Sequence, residues 1–193
     1  MTETGIFGGS FNPIHNGHIG LADDILHSTR LEEIWFMVSP QNPLKQSSSL
    51  LDDEKRYELV QKALHGHRGL SASNHEFSLP KPSYTWETLQ SLSAAWRDRR
   101  FSLIIGADNW LLFNRWYRHE EILSRFHIYV YPRPGSTIDP LSLPENVTFT
   151  NTRLYDVSST EVRRRIACGE SIDGLVPDAI VADVQECYSQ VKD

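Results

Sequence analysis

Short apolar runs recur along the chain at residues 5–8, 34–38, 101–105 and 126–131. Between them lie longer stretches with a different rhythm. Residues 16–28 carry Ile19, Ala22, Ile25 and Leu26 on one face. Residues 53–64 carry Tyr57, Leu59, Val60, Ala63 and Leu64, and residues 86–96 carry Leu89, Leu92, Ala95 and Trp96. These spacings fit the 3.6-residue period of an amphipathic helix. Short strands alternating with such helices predict βαβ units, and hence a parallel sheet covered on both faces: an α/β, Rossmann-like, doubly wound fold. In such sheets ligands bind beyond the carboxyl ends of the strands, where the strand order reverses. The loops that follow the apolar runs are therefore where chemistry is to be sought.

Residues 132–144 are rich in Pro, Ser and Gly and read as a connection rather than a domain boundary. A short strand is expected at 147–150. Ser158-Ser159-Thr160-Glu161 has the form of a capping box, so a helix should start with Ser158 as N-cap and Glu161 at its third position. It should end near Cys168, with Gly169 as the left-handed residue beyond it. The expectation is one domain over 1–193 with a small helical C-terminal portion from roughly 156 onward. There is no internal repeat, and residues 46–49 are the one low-complexity patch.

A chain of 193 residues buries roughly 70% of its unfolded surface, so it needs no disulfide or metal to hold it. Cys168 and Cys187 are far apart in sequence and are expected as reduced, structural thiols. The net charge of -6 argues against a nucleic-acid or anionic-membrane partner but leaves room for a small basic phosphate pocket. No apolar stretch approaches the ~20 residues that span a bilayer. No basic and apolar leader follows Met1, so a cytoplasmic location is the default expectation.

The most informative stretch runs Gly5-Ile6-Phe7-Gly8-Gly9-Ser10-Phe11-Asn12-Pro13-Ile14-His15-Asn16-Gly17-His18. Gly8 and Gly9 follow the first strand, and their lack of Cβ lets backbone N–H groups approach a phosphate. The pattern is neither G-x-G-x-x-G nor a G-K-[ST] loop. His15 and His18 are three apart at a helix start, so both imidazoles should share one face at the mouth of the sheet. The positive end of the helix dipole lies there and favours anions. Two imidazole donors would suit charge developing on a transferring phosphoryl group. Alone, H-x-x-H more often reads as a zinc pair or as two surface histidines. Placed directly after a strand and a glycine pair, it reads as a phosphate site.

A second anion site is legible at Ser158-Ser159-Thr160-Glu161-Val162-Arg163. A capped helix start offers free N–H groups, Ser159 and Thr160 add hydroxyls, and Arg163 adds a fork of donors one turn on. On its own this stretch also reads as a solvated basic helix start, and Arg164 and Arg165 keep that reading. His65-Gly66-His67 has no further ligand type near it and reads as a loop rather than a metal module.

These segments carry a resemblance. G-G-S-F-N-P-I-H-N-G-H resembles the H-x-G-H signature of the nucleotidyltransferase α/β phosphodiesterase superfamily, the hallmark falling on His15, Gly17 and His18. Residues 158–166 are similar to its second signature, I-S-S-T-x-I-R, with Val157 and Val162 at the apolar positions. The resemblance implies that His15 and His18 contact the ATP phosphates and stabilise the transition state. It implies that Gly17 keeps the helix start close to the nucleotide and that Arg163 holds the outer phosphates. Pro82-Ser83-Tyr84-Thr85-Trp86-Glu87-Thr88-Leu89 resembles the S-Y-T-x-x-T-L segment of the nicotinate-mononucleotide branch, whose N–H groups bind the nicotinate carboxylate. Leu103 to Asp108 resembles I-I-G-x-D, with Asp108 on a ribose hydroxyl, and Trp116 resembles the tryptophan that stacks on the pyridine ring. Pantetheine-phosphate adenylyltransferases usually show Thr where His15 stands, which weighs against that branch. Two stretches match more loosely. Asn42 and Lys45 follow the second strand, and Arg133 sits in a segment similar to R-R-P-G, with Pro132 in place of its first arginine.

The implied catalytic residues are His15, His18 and Arg163. The implied ATP site is Gly8, Gly9, Ser10, Phe11, His15, Gly17, His18, Lys45, Gly106, Asp108, Arg133, Ser158, Ser159, Thr160 and Arg163. The implied mononucleotide site is Ser10, Asn42, Tyr84, Thr85, Trp116 and Tyr117. The activity implied is transfer of AMP from ATP to nicotinate mononucleotide, giving deamido-NAD and pyrophosphate. Mg²⁺ would arrive bound to ATP, with no metal site of the protein's own. ATP and the mononucleotide are the expected partners, without nucleic acid or membrane, and the oligomeric state is left open. Nicotinamide mononucleotide or another phosphate ester is the alternative acceptor. A catalytically silent nucleotide-binding regulator is the alternative class, disfavoured by the presence of both histidines and Arg163.

Overall fold

The computed structural model describes residues 1–40 and 50–189. Asn42 and Lys45 lie outside the described residues. The elements are β1 (Thr2–Gly9), α1 (Asn16–Ser28), β2 (Glu33–Val38), α2 (Asp53–Ala63), β3 (Leu70–Ser73), α3 (Thr85–Ala95), β4 (Arg99–Gly106), α4 (Ala107–Trp110), α5 (His119–Arg125), β5 (His127–Tyr131), β6 (Val147–Phe149), α6 (Ser159–Ala167) and α7 (Val181–Ser189). The six strands form one parallel sheet in the order β3-β2-β1-β4-β5-β6. The chain winds outward from β1 to one edge, returns to β4, and winds outward again. The order therefore reverses between β1 and β4, so their carboxyl ends flank a crevice.

Strand alternation explains why both faces are covered. Phe7, Phe36, Ile104 and Tyr129 point to a core shared with α1, α2, α6 and α7. Ile6, Met37, Leu103, Ile105, Ile128 and Val130 point the other way, to a core built with Trp86, Leu89 and Leu92 of α3 and Ile122 of α5. A strand buried on both faces reads as a continuous apolar run, which is why the pattern revealed β1, β2, β4 and β5. It did not reveal β3, whose residues are Leu-Ser-Ala-Ser with only Leu70 buried. This edge strand carries too little apolar surface to announce itself.

The helical C-terminal portion is built into the first core. The backbone N–H of Asn16 donates to Leu175 O at 2.8 Å, and the Tyr188 hydroxyl donates to Asn12 Oδ1 at 2.7 Å. Among the described residues, no helix is long and apolar enough to cross a membrane.

One buried cation ties the crevice floor together. Arg56 of α2 occupies the same helix face as Leu59, Val60 and Ala63 and is fully buried. Its Nη1 donates to Ser10 O at 2.5 Å and Ser39 O at 3.1 Å, its Nε to Leu51 O at 2.8 Å, and its Nη2 meets Asp53 at 2.5 Å. The loops that leave β1 and β2 thus close on one guanidinium. Replacing it leaves several buried acceptors without donors. Arg56→Met is expected to destabilise the fold by about 3 kcal/mol or more, read as a lower urea midpoint at unchanged slope.

Candidate active site

The loop after β1 turns sharply. Phe11 adopts φ 43, a left-handed conformation that is costly for a bulky residue. Its ring is buried and meets His18 edge-on, with centroids 5.1 Å apart. His15 is the N-cap of α1 rather than its first helical residue. Its ring lies flat on that of His18, centroids 3.6 Å apart and planes 21° apart. The backbone N–H of His15 donates to His18 Nδ1 at 3.3 Å. That nitrogen must present a lone pair, so a neutral His18 carries its proton on Nε2.

The two histidines are not equivalent. His15 is 6% exposed. Burial, and secondly the charge of Arg133, push its pKa down to about 4, so it is neutral at physiological pH. Its Nδ1 is buried, and its side chain faces the backbone N–H of His18 in the capping arrangement at the start of α1. Sequence spacing suggested two like donors on one helix face. The structure instead gives a neutral imidazole stacked behind His18, and both rings line one cleft.

Ser158 caps α6 as expected, its Oγ accepting from the Glu161 N–H at 3.1 Å. The reciprocal arm of the box is absent. The Glu161 carboxylate takes Arg164 and Arg165 instead, at 2.8 Å each, and these partners hold its pKa down to about 2. Arg164 also pairs with Glu170. The charges of Arg164 and Arg165 are thereby committed along the helix flank. Arg163 turns the other way, its Nη1 donating to Asn12 O at 2.8 Å, and Ser159 Oγ donates to Pro13 O at 2.8 Å. These bonds bring the start of α6 onto the loop that leads into α1.

The result is a cleft of about 420 Å³. It is lined by Gly8, Gly9, Ser10, Phe11, His15, Gly17, His18, Asp108, Arg133, Ser158, Ser159, Thr160 and Arg163, together with Arg153 and Tyr155. Asp108 and Arg133 face each other at 3.6 Å. Asp108 lies inside α4, whose N-cap is Gly106. The need for glycine at 17 has a local cause: a Cβ there would sit 2.6 Å from Val157 Cγ1 and 3.1 Å from Tyr155 Cβ. The segment running into α6 packs against this point. Asp24 of α1 anchors it, accepting from the Tyr155 hydroxyl and from Arg153 Nη2 at 2.9 Å each.

A second cavity of about 210 Å³ opens on the other side of Gly8–Ser10. Tyr84, Thr85, Trp116 and Tyr117 line it, with Glu76, Ser83, Thr88 and Arg115. Tyr84 and Tyr117 stand at its rim with ring centroids 5.0 Å apart. Gly106 lines this cavity and also lies directly beside Asp108 and Arg133 of the larger cleft. The two spaces share Gly8, Gly9, Ser10, Asn109 and Tyr131. Of the lining residues, the sequence reading did not name Asn109, Arg115, Arg153, Glu76 or Tyr131 as site residues. Tyr131 ends a recognised strand, and burial raises its pKa to about 12. Arg56 left a usable trace, an arginine on an apolar helix face. Glu76 left none, since its loop has no periodicity.

The profile of the cytidylyltransferase-like family matches residues 6–165. A probable nicotinate-nucleotide adenylyltransferase of Bacteroides fragilis is 47% identical over 93% of this chain and 89% of its own. One of Cytophaga hutchinsonii is 43% identical over 90% and 91%. Among solved structures, the Plasmodium falciparum nicotinic acid mononucleotide adenylyltransferase complexed with NaAD superposes with a TM-score of 0.81 at 18% identity, covering 99% of this chain and 98% of that one. That likeness concerns the fold.

The depressed His15 pKa makes a stability prediction. Its folded value of about 4 lies below the ordinary 6.5, so the unfolded chain binds the proton more readily. His15 therefore contributes its full share of stability above pH 6.5, and that share is lost as pH falls from 6.5 toward 4. The loss should be roughly 3 kcal/mol. Urea unfolding of the wild type should show it over that window, and His15→Asn should flatten the same limb.

Proposed function

The chain belongs to the cytidylyltransferase-like family, and from that premise we propose that it transfers AMP from ATP to nicotinate mononucleotide, giving deamido-NAD and pyrophosphate for NAD biosynthesis. One observation carries this reading: His18 and Arg163 face one cleft, and that cleft adjoins a second, aromatic-rimmed cavity across Gly8–Ser10. Two substrates lodged in these spaces would meet over the glycine pair. Curated relatives named for this activity support the assignment, as does the fold neighbour that was solved with NaAD.

ATP takes the larger cleft. The N-terminal N–H groups of α6, the Thr160 hydroxyl and the Arg163 guanidinium receive the outer phosphates, while the Ser159 hydroxyl stays on Pro13 O. Backbone N–H groups of the Gly8–Phe11 loop approach the inner ones. His18 Nε2–H donates to a non-bridging oxygen of the α-phosphate, where charge grows as the reaction proceeds. Neutral His15 backs that ring and adds no charge of its own. Asp108 accepts from a ribose hydroxyl, and Arg133 borders the nucleotide. Mg²⁺ enters as part of the substrate, held by phosphate oxygens.

The mononucleotide takes the smaller cavity. Its carboxylate meets N–H groups at the start of α3, beside Tyr84 and Thr85, and its pyridine ring lies against Trp116 and near Tyr117. Its phosphate, beside Ser10, attacks the α-phosphorus in line. The new P–O bond forms as the bond to pyrophosphate breaks. No protein nucleophile is required, and the acceleration comes from positioning and charge neutralisation.

Two outcomes are expected. With ATP and Mg²⁺, pyrophosphate release should favour nicotinate over nicotinamide mononucleotide by ~10-fold or more in kcat/KM, because backbone donors find an anion in one and a competing –NH₂ in the other. Equal values would remove the nicotinate assignment. His18→Ala should lower kcat by ~10²-fold or more with an unchanged circular dichroism spectrum; near-wild-type turnover would refute its role.

A further inference from the structure

The first turn of α3, which the proposed function uses to receive the acceptor, is held by a buried carboxylate. Glu76 lies on the single turn His75–Ser78 that precedes α3 and is 7% exposed. Its Oε2 accepts from Ser39 Oγ at 2.8 Å and Ser83 Oγ at 3.0 Å, and its Oε1 accepts from Thr88 Oγ1 at 2.8 Å. Ser83 and Thr88 are themselves buried and bracket Tyr84 and Thr85. All four side chains line the smaller cavity.

An anion so enclosed is tolerable only when donors fill its lone pairs. Here three hydroxyls do so. Each hydroxyl has one proton to give; those of Ser39 and Ser83 go to Glu76, and that of Thr88 goes to Glu76 at 2.8 Å in preference to the Tyr84 carbonyl at 3.3 Å. Towards the cavity, these hydroxyls can turn only lone pairs. They cannot donate to an anionic acceptor, and they cannot compete with α3 for it. The backbone N–H groups between Ser83 and Thr88 are left as local donors beside the Thr85 hydroxyl, in a direction set by the two bonds to Glu76. Ser39 extends the tie. Its carbonyl accepts from the same Arg56 Nη1 that holds Ser10 O. A run of bonds thus links the wall between the two cavities to the start of α3.

We propose that Glu76 is a positioning residue for the acceptor: by gathering the Ser39, Ser83 and Thr88 protons it fixes the first turn of α3 against the carboxyl end of β2 and aims the N–H groups of that turn into the smaller cavity. The inference rests on the reading that this cavity takes the mononucleotide, and it predicts an effect confined to that substrate.

The test is steady-state pyrophosphate release by the wild type, Glu76→Gln and Ser83→Ala, with each substrate varied in turn. Glutamine keeps the shape but turns one acceptor oxygen into a donating –NH₂, so one hydroxyl must reorient. For Glu76→Gln, KM for nicotinate mononucleotide should rise ~10-fold, with KM for ATP and kcat within ~3-fold of wild type. Ser83→Ala removes one donor and disturbs the fold least; it should raise the same KM by ~3-fold, again without moving KM for ATP. If neither variant shifts KM for the mononucleotide, or if both KM values rise together, Glu76 has no positioning role. A Glu76→Gln chain that does not fold leaves Ser83→Ala to decide. A wild type that is inactive with nicotinate mononucleotide would overturn the functional reading and this inference with it; an active wild type with unmoved variants overturns the inference alone.

Discussion

Two hydrogen bonds make the site possible: Ser159 Oγ to Pro13 O, and Arg163 Nη1 to Asn12 O. Each side of this contact is a helix start, and helix starts leave N–H groups unsatisfied and carry positive potential. Two such ends facing one space would be unfavourable without an anion between them. The structure accepts that tension and holds the ends together through polar ties to carbonyl groups. Gly17 is part of the same constraint, because a side chain there would push the segment leading into α6 away. The geometry that disfavours an empty cleft is the geometry that favours a polyphosphate in it.

Electrostatics in the cleft are graded rather than summed. His15 is neutral through burial and nearby Arg133, while Arg164 and Arg165 are occupied by Glu161 and Glu170. Arg163, tied to Asn12 O, and Arg133, beside Asp108, line the cleft together with the donors of the glycine loop. A stack of two charged imidazoles 3.6 Å apart would repel strongly at such close range. Keeping His15 neutral lets its ring fix the plane of His18, while the His15 N–H fixes which nitrogen of His18 bears the proton.

Much of this was legible in the sequence because its signals are local. Apolar runs marked four strands buried on both faces, and helical periodicity marked α1, α2 and α3 to within a residue or two. The capping serine of α6 was legible because a short side chain, Cβ and Oγ alone, meets a backbone three residues away. What escaped depends on partners distant in sequence. Glu76 acquires meaning only through Ser39, Ser83 and Thr88. The unequal characters of His15 and His18 follow from stacking and burial, which spacing alone does not encode. The missing arm of the capping box is similar: the motif offers Glu161 to the backbone, but two arginines one turn on compete for it and win, a charged pair being the stronger partner.

The two cavities answer two anions by different means, and this explains why an acidic chain suits the task. On the proposed reading, the larger cleft would meet the more highly charged ligand with guanidinium groups and helix starts. The smaller one has both a buried carboxylate, Glu76, and a guanidinium, Arg115, in its lining, and their charges offset, so net local charge is a weak draw for a second anion. Selection there then draws on directed N–H groups and aromatic faces, which reward a correctly placed carboxylate and offer little to a misplaced one. Directional donors are insensitive to the overall charge of -6, since water and salt screen distant charges while a fixed hydrogen bond acts at contact. Discrimination between an acid and its amide is then a matter of which way a few protons point, and in this cavity Glu76 decides that for every hydroxyl it reaches.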